Sequence, residues 1–216
     1  MEKFKVDLYK KEDGTKPVGQ FIRSLDIKMK AKVVANMHLL EEYGNMAREP
    51  LSKDLGDGIF ELRTIEGNDI VRVLYFFDKD KIIIATNGFV KNNKRRHEVK
   101  LSWQRIEEQI IIAERRLELM SDLQELTDEL MQDPEFVKEY EAIQPEVNIT
   151  RAILDARINA GMTQMELSQK SGISQADISR LEKGTRNPSL NLLKRLAEAM
   201  DSTLSIEFIP NKKAAQ

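Results

Sequence analysis

Apolar residues change their spacing twice along this chain of 216 residues, and each change marks a new kind of element. Lys16-Pro17-Val18-Gly19-Gln20-Phe21-Ile22 reads as a short helix with proline in its first turn. Asp26 is placed to cap a second helix reaching about Glu42, with Val33, Val34, Met37 and Leu40 on its apolar face; Tyr43-Gly44-Asn45 stops it. The period then shortens. Segments 59–65, 70–77 and 81–87 are rich in branched and aromatic residues and are separated by Glu66-Gly67-Asn68 and Asp78-Lys79-Asp80. That pattern predicts a three-stranded meander, joined by an N-terminal strand over 5–9.

Helical spacing returns with Trp103, Ile106, Ile110, Ala113, Leu117 and Met120, one continuous stripe. Leu123 and Leu126 break its phase, and Ser121-Asp122-Leu123-Gln124 has the form of a capping box. A domain junction therefore falls near 119–121, without a Gly/Ser linker. The reading divides the chain into a first domain at 1–119, a helical segment at 120–148 and a second domain at 149–216.

The second domain carries the most specific pattern. Thr163-Gln164-Met165-Glu166 forms another capping box, opening a helix to Lys170, and Gly172 supplies a left-handed turn residue. Ser174 caps the next helix, which ends at Gly184. Ile173, Ile178 and Leu181 point inward, and Gln175, Ala176, Ser179, Arg180 and Lys183 remain for the outer face. Supporting helices flank this unit over 151–160 and 189–200. A helix-turn-helix sets its second helix in the major groove, with base-reading side chains near that helix's N-terminus. Gln175 suits adenine, Arg180 suits guanine or a phosphate, and Gln164 is positioned for a phosphate. Leu204, Ile206 and Phe208 alternate in the tail, which predicts an edge strand over 203–210. Such an edge invites pairing with a second copy, and a homodimer would present two reading helices to a palindromic operator.

Charge adds a division that the near-zero total hides. Residues 1–119 hold 23 Lys+Arg against 20 Asp+Glu; residues 120–148 hold 1 against 9; residues 149–216 hold 10 against 7. Two mildly basic blocks flank a strongly acidic one. Nucleic acid suits the basic blocks, and the acidic segment can cover a basic site. The chain has no cysteine, which suits a reducing cytoplasm, and no apolar run long enough for a membrane span or a signal peptide.

The stretch from Met162 through Gly172, Ile173-Ser174-Gln175-Ala176-Asp177-Ile178-Ser179-Arg180 and Gly184 to Ser189 closely resembles the Xre/HigA antitoxin family. Gly58-Ile59-Phe60-Glu61-Leu62-Arg63, Asp69-Ile70-Val71-Arg72 through Phe77, and Asn87-Gly88-Phe89-Val90-Lys91 resemble the phage-derived HigB branch of the RelE toxin superfamily, departing from it over 92–99. Together the resemblances imply an α+β toxin domain, an antiparallel sheet with helices, followed by an all-α helix-turn-helix domain with a C-terminal strand. They imply that the toxin cuts mRNA on the ribosome without a cofactor, and that the antitoxin blocks it and represses its own operon. Metal-free RNA cleavage needs a base for the ribose 2′-OH, cations for the phosphorane charge and an acid for the leaving oxygen. The candidates are Arg63, Arg72, Lys53, Lys91 and Arg95 as cations and His97 as acid or base. Arg63 and Arg72 equally suit ion pairs with Glu61 or Asp69, and a regulator with an inactive toxin-like domain stays open. Inhibition has two routes: steric exclusion from the ribosome, which a short connection favours, or acidic side chains laid on Arg63 and Arg72.

Overall fold

The protein is described by a computed structural model covering residues 4–11, 13–47, 51–56, 58–78, 82–90 and 122–208. The apolar stripe at 103–120 and the junction at 119–121 lie outside the described residues.

The N-terminal region is a five-stranded sheet with helices on one face. Its strands are β1 (Lys5–Leu8), β2 (Ser52–Gly56), β3 (Ile59–Glu66), β4 (Asp69–Phe77) and β5 (Ile82–Val90), in the order β1-β5-β4-β3-β2. The meander β3–β4–β5 forms as the alternation predicted, and Gly67 turns the first hairpin at φ 55°. Two features differ from expectation. The sheet is mixed, because β1 runs parallel to β5, with Lys5 opposite Ile82 and Leu8 opposite Ala85. A fifth strand, β2, pairs with β3 although Ser-Lys-Asp-Leu-Gly has little strand propensity; pairing and the buried Ser52–Tyr75 hydroxyl contact hold it instead.

Helices α1 (Pro17–Ser24) and α2 (Ile27–Tyr43) cover one sheet face. The Asp26 carboxylate caps α2 by accepting from the Met29 amide at 3.0 Å, and Val33, Val34, Met37 and Leu40 are buried as their spacing predicted. Gly88 allows α1 to sit close on β5: a Cβ there would lie 2.0 Å from the Phe21 ring.

Two further helices complete this core. Leu123, Leu126 and Leu130 of α3 (Asp122–Leu130), and Phe136, Ile143 and Leu154 of α4 (Pro134–Asn159), belong to the same buried cluster as Val6, Ile22, Val34, Leu62 and Tyr75. Carboxylates also seal the free edge of β1. The Val6 amide donates to Glu41 at 2.9 Å and the Leu8 amide to Asp122 at 3.0 Å.

Helix α4 is continuous across 148/149 and enters a second core. There Ile153 packs with Leu167 of α5 (Gln164–Ser171), Ile178 and Leu181 of α6 (Gln175–Glu182), and Leu196 of α7 (Leu190–Ala199). Residues 202–208 have no regular structure, with Ile206 and Phe208 exposed, so the tail strand predicted over 203–210 is absent from the described residues of the single chain. A strand needs a hydrogen-bonding neighbour, and none of the described strands lies beside it. Among the described residues no helix is long and apolar enough to cross a membrane.

Candidate nucleic-acid interfaces

The first interface lies on the sheet face turned away from α2. Strand alternation puts Leu62 and Thr64 toward the helices, where Asn36 donates to the Thr64 hydroxyl at 3.0 Å, and so turns Glu61 and Arg63 the other way. Arg63 and Arg72 are direct partners across β3 and β4, and Lys53 on β2 is opposite Glu61. Three of the sequence-predicted site residues thus share one face: exposed Lys53 and the partly buried Arg63 and Arg72. The other three, Lys91, Arg95 and His97, lie outside the described residues.

Glu61, 2% exposed, binds both arginines. Its Oε1 accepts from Arg63 Nε at 3.2 Å and Nη2 at 2.8 Å, and its Oε2 accepts from Arg72 Nη1. Arg72 Nε is buried and finds no acceptor among the described residues. One buried carboxylate therefore fixes two guanidinium planes side by side, leaving net positive charge on the face. Glu61 was visible in the sequence as an ion-pair partner; its service to both arginines required the strand register.

The acidic segment lies elsewhere. Lys16 Nζ meets Asp122 at 2.6 Å and Glu125 at 2.8 Å, Arg23 meets Glu129 as a two-point fork, and Lys32 reaches Glu146 at 3.7 Å. Hydrogen bonds from Lys16 and Arg23 lower the Glu125 and Glu129 carboxyl pKa values. Burial works to lower the Lys16 pKa, yet its two carboxylate partners carry it upward overall. His38 joins α2 to α3, with Nδ1 3.0 Å from Glu41 and Nε2 3.0 Å from the Thr127 hydroxyl, a packing role consistent with its mid-helix position. Sequence reasoning identified the acidic segment but missed Lys16, Arg23 and Lys32 as its partners, because nothing local to α1 or α2 says which face receives it.

The second interface is the outer face of α6. The capping box forms as predicted: Thr163 Oγ1 accepts from the Glu166 amide, and Glu166 Oε2 accepts from the Thr163 amide at 2.7 Å. Gly172 turns the chain at φ 66°, and Ser174 accepts from the Asp177 amide at 3.1 Å. Gln175, Ala176 and Arg180 are exposed and Ser179 is half-buried on the same helix, whereas Lys183, its C-cap residue, is half-buried and lines a pocket with Lys32, Asn36, Ile65 and Glu146, departing from the outer-face position expected of it. Asp177 holds Arg180 at 3.2 Å and also binds Arg186; hydrogen bonds from Ser174 and Arg186 lower its pKa.

Gln164 departs from the phosphate-facing position expected of it. Its amide turns inward and donates to Glu182 at 2.9 Å. Glu182 is fully buried and binds Arg157 through Nε at 2.6 Å and Nη2 at 3.1 Å, while Arg157 Nη1 donates to the Met162 carbonyl. A buried carboxylate demands such donors, and that demand outweighs solvation of Gln164.

Comparison with known proteins follows the same division. Residues 20–118 match the family described as phage derived protein Gp49-like, and residues 153–206 match the helix-turn-helix family. Three relatives are each named an uncharacterized HTH-type transcriptional regulator. That of Sinorhizobium fredii is 42% identical over 65 residues, covering 30% of this chain and 32% of the relative. That of Haemophilus influenzae is 37% identical over 68 residues, 32% and 69% of the two chains. That of Archaeoglobus fulgidus is 40% identical over 57 residues, 26% and 81%. The chain thus spans about a third of the Sinorhizobium relative and more than two thirds of the other two.

Proposed function

This chain belongs to the family of HTH-type transcriptional regulators and carries a Gp49-like toxin-family domain ahead of its helix-turn-helix, and from that premise we propose that it is a toxin–antitoxin pair in one polypeptide. The N-terminal domain, 1–119, is a HigB/RelE-type endoribonuclease acting on ribosome-bound mRNA. The segment 120–148 restrains it. The C-terminal domain, 149–216, binds a palindromic operator as a homodimer and represses transcription of its own gene.

The observation that carries the DNA-binding half is the capped helix α6, which presents Gln175, Ala176 and Arg180 to solvent above a closed core. Gln175 reads a base edge, Arg180 a guanine or a phosphate, and Ser179 the backbone. Footprinting of the intact chain on its own promoter tests this reading; a protected palindrome supports it.

For the RNA half, the partly buried Arg63 and Arg72, side by side on one sheet face, offer fork donors to a phosphate, with exposed Lys53 on the same face. Attack by the ribose 2′-oxygen forms one P–O bond and breaks the bond to the 5′-oxygen. The 2′-OH proton passes to a base, and the departing 5′-oxygen gains one from an acid. His97 is the candidate acid or base for these transfers, and Lys91 and Arg95 are further candidate cations. The acidic side chains contact Lys16, Arg23 and Lys32 rather than Arg63 or Arg72, which favours steric exclusion from the ribosome over direct masking of the arginines.

A second reading is a transcription regulator whose toxin-like domain serves only for interaction. The shared Glu61 contact favours it, since a buried carboxylate already partners both arginines. An mRNA cleavage assay with the N-terminal domain separates the two.

A further inference from the structure

Helix α3 meets the N-terminal domain through two unlike sets of residues. Leu123, Leu126 and Leu130 are buried in the core and hold the helix down. Asp122, Glu125 and Glu129 form a row along its flank, at intervals of three and four residues, or about 4.5–6 Å of helix rise. Opposite them stand Lys16 and Arg23 at the two ends of α1. The outer pairs are exposed: the side chains of Glu125 and Glu129 are 66% and 51% accessible. Exposed ion pairs add little to docking, so beside the leucine anchors and the Asp122 contact to β1, Glu125 and Glu129 have only a minor stability role.

The Arg23–Glu129 contact is a two-point fork, the geometry an arginine also uses for two oxygens of one phosphate. Beside it a cleft of ≈300 Å³ opens between α1 and α3, lined by Thr15, Lys16, Gln20, Arg23, Glu125 and Glu129. With Asp122 also on its wall, three carboxylates face two cations and keep the cleft acidic; neutralising Glu125 and Glu129 would leave it net positive and open to a polyanion.

We propose that the Lys16–Arg23 edge of α1 is an RNA-backbone contact surface, and that the carboxylates of α3 occupy it as phosphate surrogates. This rests on the reading that the N-terminal domain acts on RNA. It assigns α3 a second role, competition with the RNA strand at a place remote from Arg63 and Arg72. Single-stranded RNA is the partner, because its phosphates can follow a short cationic edge without the fixed width of a duplex groove.

The test uses the intact chain and a labelled single-stranded RNA lacking any operator sequence. Glu125→Gln with Glu129→Gln leaves the leucine anchors and the Asp122 contact to β1 in place. This variant binds RNA about tenfold more tightly in anisotropy titrations at low salt, with a salt slope steeper by about 1.4, two contacts at roughly 0.7 each. Adding Lys16→Gln and Arg23→Gln abolishes the gain. No gain, a gain that survives loss of Lys16 and Arg23, or an equal gain for duplex DNA of unrelated sequence overturns the proposal. An unchanged thermal transition verifies the fold. If the transition falls, Gln20→Lys, which adds a cation to the same edge with α3 intact, must raise RNA affinity, and its failure to do so also overturns the proposal. Because binding is read without cleavage, a gain in affinity with no cleavage activity counts against the nuclease reading and leaves the contact surface standing.

Discussion

Arg63 and Arg72 stand directly opposite each other on β3 and β4 and share one carboxylate, that of buried Glu61. Like charges on opposing strand positions repel unless a counter-charge lies between them. Glu61→Ala removes it and leaves two partly buried guanidinium groups uncompensated. The variant is expected to lose about 3 kcal/mol of stability, read as a lower urea midpoint at constant slope. A midpoint unchanged from the parent would show that the arginines find other partners.

The second buried ion pair predicts a contrast within the helix-turn-helix. Arg157→Met leaves the fully buried Glu182 without its counter-charge, with Gln164 still donating to it, and should destabilise the C-terminal core by about 3–5 kcal/mol. Arg180→Ala, at an exposed position, should leave thermal unfolding unchanged and weaken DNA binding. Calorimetry paired with operator titration checks both.

Base reading by Gln175 has its own signature. Gln175→Ala should relax preference at one base pair of each half-site by about 1–3 kcal/mol, with the other positions unaffected. Competition titrations with singly substituted operators measure it. Uniform weakening across all sequences would assign Gln175 to the backbone instead.

Helix α3 should be held slightly less tightly in acid, its leucine anchors remaining in place. The Glu125 and Glu129 pKa values are lowered in the folded chain by Lys16 and Arg23, so their contribution is present above the ordinary value of 4.5 and is lost as pH falls through the lowered values. Lys16 is raised above 10.5; its contribution is complete below that value and is lost as pH climbs past the raised one. Asp7 works against the acid trend: burial, which outweighs the pull of Lys5, raises its pKa, so protonation favours the folded form. Hydrogen exchange of α3 amides across pH 3 to 7 should show protection falling at the acid end, and constant protection would contradict the assignment.

The order of elements was readable because apolar spacing survives folding: α1, α2, the meander and the helix-turn-helix stand close to where periodicity put them. Strand β2 escaped because Lys53-Asp54-Leu55-Gly56 has no strand pattern and is ordered by its neighbour. Of the site, Arg63 and Arg72 were legible as strand arginines, whereas the use of Lys16 and Arg23 depends on a helix more than 100 residues away. Gln164 misled because position at a helix start says nothing of a buried carboxylate arriving from α6. The tail strand failed because alternation without a neighbouring strand does not make a sheet.

The most direct measurement of the central claim is mRNA integrity, mapped by primer extension, in cells expressing residues 1–119. Helix α3 contributes buried leucines to the N-terminal core, so a companion, the intact chain carrying Leu126→Asp, retains every residue while loosening α3. The account predicts growth arrest and cut mRNA for at least one of the two, none for the parent chain, and loss of cutting on adding Arg72→Ala. Intact mRNA with both proteins, expressed to the level of the parent and folded by circular dichroism, would contradict it.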